Sequence, residues 1–204
     1  MAKKAYNRKD RYYQKAKEEG YKSRAAYKLI QINKQYKLLK NGLLVVDLGS
    51  SPGSWLQVIS KEIGSLGKVI GVDLEPLQFT PEKNTELIVG DIREERTKQL
   101  LLAALGQKVD LVLSDMAPHL SGIKFQDHYN SYELAEQAFK ICRTFLRENG
   151  NFVVKLFPGE ELGQFRQNLK GSFKKIDLFT PDATRKSSTE IYIVAKGFHP
   201  SQNQ

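Results

Sequence analysis

The 204-residue sequence is poor in several things that would narrow its chemistry at once. It has one cysteine, Cys142, and three scattered histidines, His119, His128 and His199. That excludes a disulfide framework and a Cys/His zinc cluster, so no protein-bound transition metal is expected. No segment approaches the roughly 18 apolar residues of a membrane span. The opening MAKKAYNRKDRYY has no apolar stretch of the kind a secretory signal needs. A cytoplasmic, reduced, monomeric protein is expected. Internal repeats are missing as well, and a chain of this length with 40% hydrophobic residues is read as one globular domain.

Acidic residues are scarce at one end. Within residues 1–40, thirteen Lys/Arg face only Asp10, Glu18 and Glu19, so this segment carries +10 and the rest of the chain −1. The same segment holds six of the nine tyrosines, Tyr6, Tyr12, Tyr13, Tyr21, Tyr27 and Tyr36. A basic segment interleaved with aromatics suits phosphate neutralisation plus base stacking. A solvated, partly disordered basic tail is the plainer alternative.

Along the chain, apolar runs alternate with helix-like segments. Strands are expected at Leu43–Leu48, Lys68–Asp73, Glu86–Val89, Asp110–Leu113, Asn151–Phe157, Lys175–Phe179 and Glu190–Lys196. Several are near-continuous leucine or β-branched runs, as strands covered on both faces require. Helices are expected at about Ser54–Ile63, Glu94–Leu105, Tyr129–Glu148 and Gly159–Leu169, with another at about Ser23–Tyr36 before the first strand. The alternation predicts an α/β doubly wound sheet. Thr180–Thr189 is too short for a helical crossover, which predicts an antiparallel last strand.

Ligands in such folds sit beyond the carboxyl ends of the strands. After the first strand comes GSSPG, Gly49 to Gly53. Its glycines allow close backbone approach and the following helix offers N–H groups to an anion. It is neither a G-x-G-x-x-G loop, because Ser51 holds the third position, nor a P-loop, because Ser54 and Trp55 follow Gly53. The second strand ends at Asp73, placed to accept both hydroxyls of a ribose, and the third in Gly90-Asp91, placed to accept from an exocyclic amine. Each acid alone is more often a loop or capping residue. In this order across three strand ends, they fit a nucleoside carrying an amino-acid carboxylate, S-adenosylmethionine. Ser114-Asp115-Met116-Ala117-Pro118 follows the fourth strand, Lys155 interrupts the buried run VVKLF, Glu190 opens the last strand and Lys28 lies in KSRAAYKL. Singly, Lys155 reads as a snorkelling edge lysine and Glu190 as an exposed strand-end charge.

The strings KSRAAYKL, VVDLGSSPGSW, VIGVDLEP, SDMAPHLSG, NFVVKLF and SSTEIYIVA, in this order and over about Lys22 to Gly197, resemble the FtsJ/RrmJ family of ribosomal RNA 2′-O-ribose methyltransferases. The resemblance implies a Rossmann-like, SAM-dependent methyltransferase fold with a seven-stranded sheet and antiparallel last strand. It implies a basic RNA-binding segment with a helix over 1–40 and a methyltransferase domain over 41–198. By resemblance, Lys28, Asp115, Lys155 and Glu190 are a K-D-K-E catalytic tetrad. Gly53, Trp55, Asp73, Asp91 and Asp115 are cofactor-binding positions, with Trp55 near the methionine part, Asp73 at the ribose and Asp91 at the adenine. His119 stands where the family commonly has asparagine, and Ser50, Ser51 and Ser54 replace small alanine or glycine residues.

Methyl transfer to a sugar hydroxyl asks mainly for alignment of the 2′-oxygen with the methyl group and for removal of its proton. Lys155 is a base only when neutral. Burial, a sulfonium and Lys28 favour the neutral form, whereas Asp115 and Glu190 favour the charged one. Only RNA has the 2′-hydroxyl, and Arg8, Lys9, Arg11, Lys15, Lys22, Arg24, Lys34 and Lys37 are candidate phosphate contacts. The expected substrate is a uridine ribose in the A-loop of large-subunit (23S) ribosomal RNA, on the assembled subunit. A transfer-RNA 2′-O-methyltransferase, a messenger-cap enzyme, a non-catalytic ribosome-assembly factor and a small-molecule methyltransferase are the alternatives.

Overall fold

The computed structural model describes residues 10–200. Its elements run α1 (Arg11–Glu18), α2 (Ala26–Tyr36), β1 (Leu44–Leu48), α3 (Ser54–Ile63), β2 (Lys68–Asp73), β3 (Thr85–Val89), α4 (Glu95–Leu105), β4 (Val109–Ser114), α5 (Lys124–Phe145), β5 (Leu146–Leu156), α6 (Glu161–Lys170), β6 (Phe173–Phe179) and β7 (Ile191–Phe198). The seven strands form one sheet in the order β3-β2-β1-β4-β5-β7-β6. Strands β1 to β5 pair in parallel, while β7 inserts antiparallel between β5 and β6. The antiparallel last strand follows from the short β6–β7 connection, as the sequence predicts.

Both faces of the sheet are covered. Val46, Leu48, Val112, Phe152 and Val154 pack with residues of α4, α5 and α6. Val45, Leu111, Leu113, Val153, Tyr192 and Val194 pack with α2 and α3. Side chains alternate along a strand, so Asp47 shares the face of Val45, and Lys155 the face of Val153. Both polar side chains therefore point toward the α2/α3 layer. That geometry turns Lys155 toward the layer that holds α2.

Three local departures from the sequence reading have physical causes. Helix α1 was not anticipated in the basic segment; Asp10 caps it, its carboxylate accepting from Tyr12 N and Tyr13 N at 3.0 and 3.1 Å. Helix α5 begins at Lys124 rather than Tyr129, because the buried Asp127 accepts from Ser121 N, Ser121 Oγ and Gly122 N and organises the entry. Strand β5 begins at Leu146, with a register shift against β4 and Asn149 at φ 60°. Polar Arg147 to Asn149 concealed this extension.

The tyrosines of the basic segment are committed to packing. Tyr12 and Tyr21 lie 5.4 and 5.8 Å from the ring of buried Tyr27, and Tyr36 lies edge-on to Phe179 at 5.6 Å. Among the described ones only Tyr13 is largely exposed; Tyr6 lies outside the described residues. The expectation that these aromatics form a stacking surface is corrected for Tyr12, Tyr21, Tyr27 and Tyr36. They cement α1 and α2 onto the domain.

Candidate active site

The strand order reverses between β1 and β4, and the loops leaving their carboxyl ends meet there. Gly49 has φ 77°, and a Cβ on it would lie 2.8 Å from the Met116 side chain. Glycine is thus required for the two loops to approach. Beside this contact lies a cavity of about 670 Å³, lined by Gly49, Ser51, Asp73, Asp91, Asp115 and His119 among others. A larger hollow of about 1190 Å³, bordered by Lys61, Lys68, Lys83 and Thr85, opens near the amino ends of β2 and β3 and holds none of the predicted catalytic or cofactor-binding residues. The carboxyl-end cavity has the converging polar groups expected of a binding site.

Asp73 ends β2 with one carboxylate oxygen on Ser51 N at 2.8 Å and the other on Glu75 N at 2.9 Å. The carboxylate is thereby oriented, and each oxygen retains a lone pair for a further donor. Asp91 is more heavily engaged. Arg93 Nε lies 2.9 and 3.0 Å from its two oxygens, and Arg93 Nη2 2.5 Å from Oδ2. These hydrogen bonds outweigh partial burial and hold the Asp91 carboxyl below its usual range. Arg93 also lines the cavity and is largely exposed. Sequence reasoning missed it because an arginine two residues past a strand end carries no periodic signal.

Gly53 and Trp55 do not line the cavity. Gly53 has φ 101° and a Cβ there would lie 2.5 Å from the Phe79 ring, which itself lies 4.5 Å from Lys22 Nζ. Trp55 is buried, donates from Nε1 to Ala25 O at 2.9 Å and packs 5.9 Å from the Tyr192 ring. Between them in the chain, Ser54 Oγ meets Ser23 Oγ at 2.8 Å.

The four charged residues gather on the α2/α3 face. Lys28, in the first turn of α2, lies 2.5 Å from Glu190 Oε1 at the entry to β7. Lys155 Nζ lies 2.9 Å from Asp115 Oδ1 and 2.5 Å from Asp115 O. Lys155 and Tyr192 are opposite each other in the β5–β7 register, and the Tyr192 hydroxyl donates to Asp115 Oδ1 at 2.6 Å. The Lys155 and Glu190 residues are 6% and 8% exposed, so neither is a surface charge. Burial pushes the Asp115 carboxyl up, but Lys155, Lys28 and the Tyr192 hydroxyl together hold it below its usual range. Burial, with Asp115 and Glu190 nearby, pushes the Tyr192 hydroxyl well up and keeps it neutral. Two lysines and two carboxylates make a cluster without net charge, which is how such groups are tolerated inside a protein. Asp115 belongs to both the cluster and the cavity wall, so the two features are one site.

Asp47 is a second residue that the sequence reading passed over. It is fully buried in β1, and neither carboxylate oxygen has a hydrogen-bond partner. Burial, then Asp115 and Asp73, raise its carboxyl well above the usual range. Its place within an apolar strand hid it among core positions.

The basic candidates divide. Arg24 pairs with Asp10 and donates to Ala183 O at 2.5 Å, so it fastens α1 to the domain. Lys15 lies 3.6 Å from Glu19 and 5.0 Å from the Tyr27 ring. Arg11, Lys34 and Lys37 are exposed. Arg8 and Lys9 lie outside the described residues.

Comparison with known proteins places this architecture. The chain is 45% identical to a ribosomal RNA large subunit methyltransferase E of Halorubrum lacusprofundi, over 94% of this chain and 71% of that protein. It is 41% identical to the enzyme of the same name from Methanothermobacter thermautotrophicus, over 95% and 92%. A crystal structure described as a ribosomal RNA methyltransferase from Plasmodium falciparum superposes with a TM-score of 0.77 at 34% identity, covering 87% of this chain and 98% of that one. Aeropyrum pernix fibrillarin, solved with natively bound S-adenosyl-L-methionine, shares the fold at a TM-score of 0.59 and 22% identity, over 84% and 73%. The profile of FtsJ-like methyltransferases matches residues 21–198. A parallel sheet closed by an antiparallel strand, a cavity at its switch point and matches along nearly the whole chain agree, and the protein belongs to the FtsJ-like methyltransferase family.

Proposed function

We propose that the protein transfers a methyl group from S-adenosylmethionine to the 2′-oxygen of a uridine ribose in large-subunit ribosomal RNA, in the cytoplasm and on the assembled subunit. The observation that carries this reading is the convergence of Lys28, Asp115, Lys155 and Glu190, separated by up to 162 positions, into one buried cluster opening on the cavity. The names of the relatives support the ribosomal target.

The cavity fits the cofactor. The Gly49 crossing gives a wall without side chains, Asp73 is oriented to accept from a ribose, and Asp91 is placed for the adenine once Arg93 yields. Gly53 and Trp55 support the methionine end. S-adenosylmethionine supplies a methyl group on a sulfonium, already a good leaving group. Lys155, held by two Asp115 oxygens, directs its remaining valence to the acceptor hydroxyl and takes or relays its proton as the carbon–oxygen bond forms and the carbon–sulfur bond breaks. Glu190 fixes Lys28, which holds the nucleotide beside it. Arg11, Lys15, Lys22, Lys34 and Lys37 attract the phosphate backbone.

The test is transfer of labelled methyl to large ribosomal subunits, naked ribosomal RNA and bulk transfer RNA from a strain lacking the enzyme, with Lys155→Ala as control. The expected product is an alkali-resistant 2′-O-methyl nucleotide in large-subunit RNA, absent with the variant. Label in transfer RNA alone would move the target, and no label with cofactor bound would turn the reading to a binding factor.

A further inference from the structure

The loop between β4 and α5 presents an apolar surface beside the site. Every residue from His119 to Gln126 is exposed, and among them Leu120, Ile123 and Phe125 are 69%, 61% and 66% exposed. Tyr129, one turn further along α5, is 45% exposed. Such a cluster of bare apolar side chains in one short segment marks a contact surface rather than ordinary scatter. Nor is the segment a loose coil. Buried Asp127 accepts from Ser121 N at 2.7 Å, Ser121 Oγ at 2.8 Å and Gly122 N at 3.2 Å, which holds the loop from within while its hydrophobic residues face outward. The hydrogen bonds to Asp127 also keep its carboxyl below the usual range.

Location and charge indicate what covers it. Pro118 and His119 line the cavity together with Asp115, and the apolar segment continues from His119 without a break. On the other side, Phe157 N donates to Ser131 Oγ at 3.0 Å and the His128 ring lies 6.4 Å from Phe157, two residues beyond Lys155. The start of α5 is thereby fastened to the strand that carries the catalytic lysine. The one exposed charge between these apolar residues is Lys124, the Asp127 carboxylate being buried and turned to Ser121 and Gly122. A surface of aromatic and aliphatic side chains with a cation among them and no exposed carboxylate matches a nucleobase next to a phosphate. Tyr12, Tyr21 and Tyr27 of the basic segment are not available for this, since they are packed together.

We infer that the Leu120–Tyr129 segment is a stacking platform for an unpaired base adjoining the target ribose, with Phe125 as its principal aromatic face and Lys124 on the neighbouring phosphate. The inference rests on the RNA reading above and extends it. Inside an A-form helix the base faces are already stacked and hidden, so the acceptor nucleotide must be presented in a single-stranded or loop segment.

The test uses the full-length protein. Phe125→Ala is expected to raise the KM for large ribosomal subunits by roughly five- to hundredfold, the range that base–aromatic stacking supplies. Affinity for S-adenosylmethionine should stay within about twofold. Phe125→Tyr and Phe125→Trp restore the KM, whereas Phe125→Leu, apolar but without a π face, does not. In Phe125→Trp the exposed indole is quenched by a mixed-sequence single-stranded oligoribonucleotide at concentrations where a hairpin duplex of equal charge leaves it unchanged. If Phe125→Leu behaves as wild type while Phe125→Ala fails, the surface contacts a ribosomal protein and the stacking proposal is overturned. Equal quenching by single strand and duplex, or by neither, overturns it as well. A wild-type protein that methylates no RNA removes the underlying reading together with the platform, whereas active wild type with an unchanged Phe125→Ala removes the platform alone.

Discussion

The Tyr192 hydroxyl donates to the same Asp115 oxygen that pairs with Lys155, at 2.6 and 2.9 Å. One carboxylate oxygen therefore fixes a strand-β7 side chain and a strand-β5 side chain at once. Tyr192→Phe keeps the ring packed on Trp55 but removes this donor. The expected result is a stability loss of about 1–3 kcal/mol in urea unfolding. The methyl-transfer rate should fall by roughly tenfold or more while cofactor affinity stays near wild type. An unchanged rate would mean that Asp115 is positioned without Tyr192.

Lys155→Ala should lower the single-turnover rate by about 10²–10⁴, the span of general acid–base contributions, with binding of RNA and cofactor largely kept. Lys155→Arg separates two roles for the lysine, because a guanidinium keeps its charge at every accessible pH. Loss of activity in both variants is expected for a proton-accepting lysine; full activity in the arginine variant would leave Lys155 an orienting role.

Asp115 has a depressed carboxyl pKa in the folded protein. A depressed acid contributes stability that is present above its unfolded value of about 3.9 and is lost as pH falls through the lower folded value. Thermal unfolding of the wild type should therefore include an acid-labile part below about pH 4. Asp115→Asn should be less stable by roughly 3–5 kcal/mol at pH 7, because Lys155 loses its buried partner. The difference from wild type should narrow in acid. A constant difference from pH 7 to 3 would assign the loss to packing alone.

Asp47 shifts the other way, and so does its linkage. Its folded carboxyl is raised, so its contribution is fully present below about pH 4 and is lost as pH rises toward the folded value. Asp47→Asn removes the titration. We expect the variant to gain roughly 1–3 kcal/mol relative to wild type at pH 7–8, on the scale of an unsatisfied buried polar group, and to gain little at pH 4. Calorimetry across this range checks it, and a gain independent of pH would show that Asp47 does not titrate with folding.

Arg93 holds the Asp91 oxygens that the proposed adenine contact uses. Arg93→Ala should bind S-adenosylmethionine at least as tightly as wild type, and Asp91→Ala about tenfold more weakly, the value of one hydrogen bond to a charged group. Calorimetric titration distinguishes them. Parallel losses in both variants would make Arg93 a contributor to binding.

Much of the fold is legible in the sequence because β-branched runs and short connections constrain it strongly. The run VVKLF shows its strand at once, and alternation alone puts Lys155 on the face of Val153. The cluster partners are less legible. Lys28 and Glu190 meet only because α2 lies over the inserted β7, and no local periodicity encodes a contact 162 positions apart. The resemblance of whole motifs, rather than spacing, singled them out. Tyr192 and Asp47 escaped because a tyrosine and an aspartate inside strands look like packing and register residues until their polar atoms are located. The tyrosines of the basic segment misled for a related reason. Composition shows that aromatics are present, not which way they face, and here Tyr12, Tyr21 and Tyr27 face one another.

The insertion of β7 between β5 and β6 has a consequence for biosynthesis. Strands β1 to β4 and the loops around the cofactor cavity are all complete before residue 146, whereas Glu190 and Tyr192 arrive with the strand that joins two earlier ones. Domains generally fold as units, so cavity walls made early in the chain wait on its last strand. A nascent chain halted before β7 leaves Lys28 without Glu190 and Asp115 without Tyr192. The residues that close the charged cluster are among the last of the described chain to be synthesised.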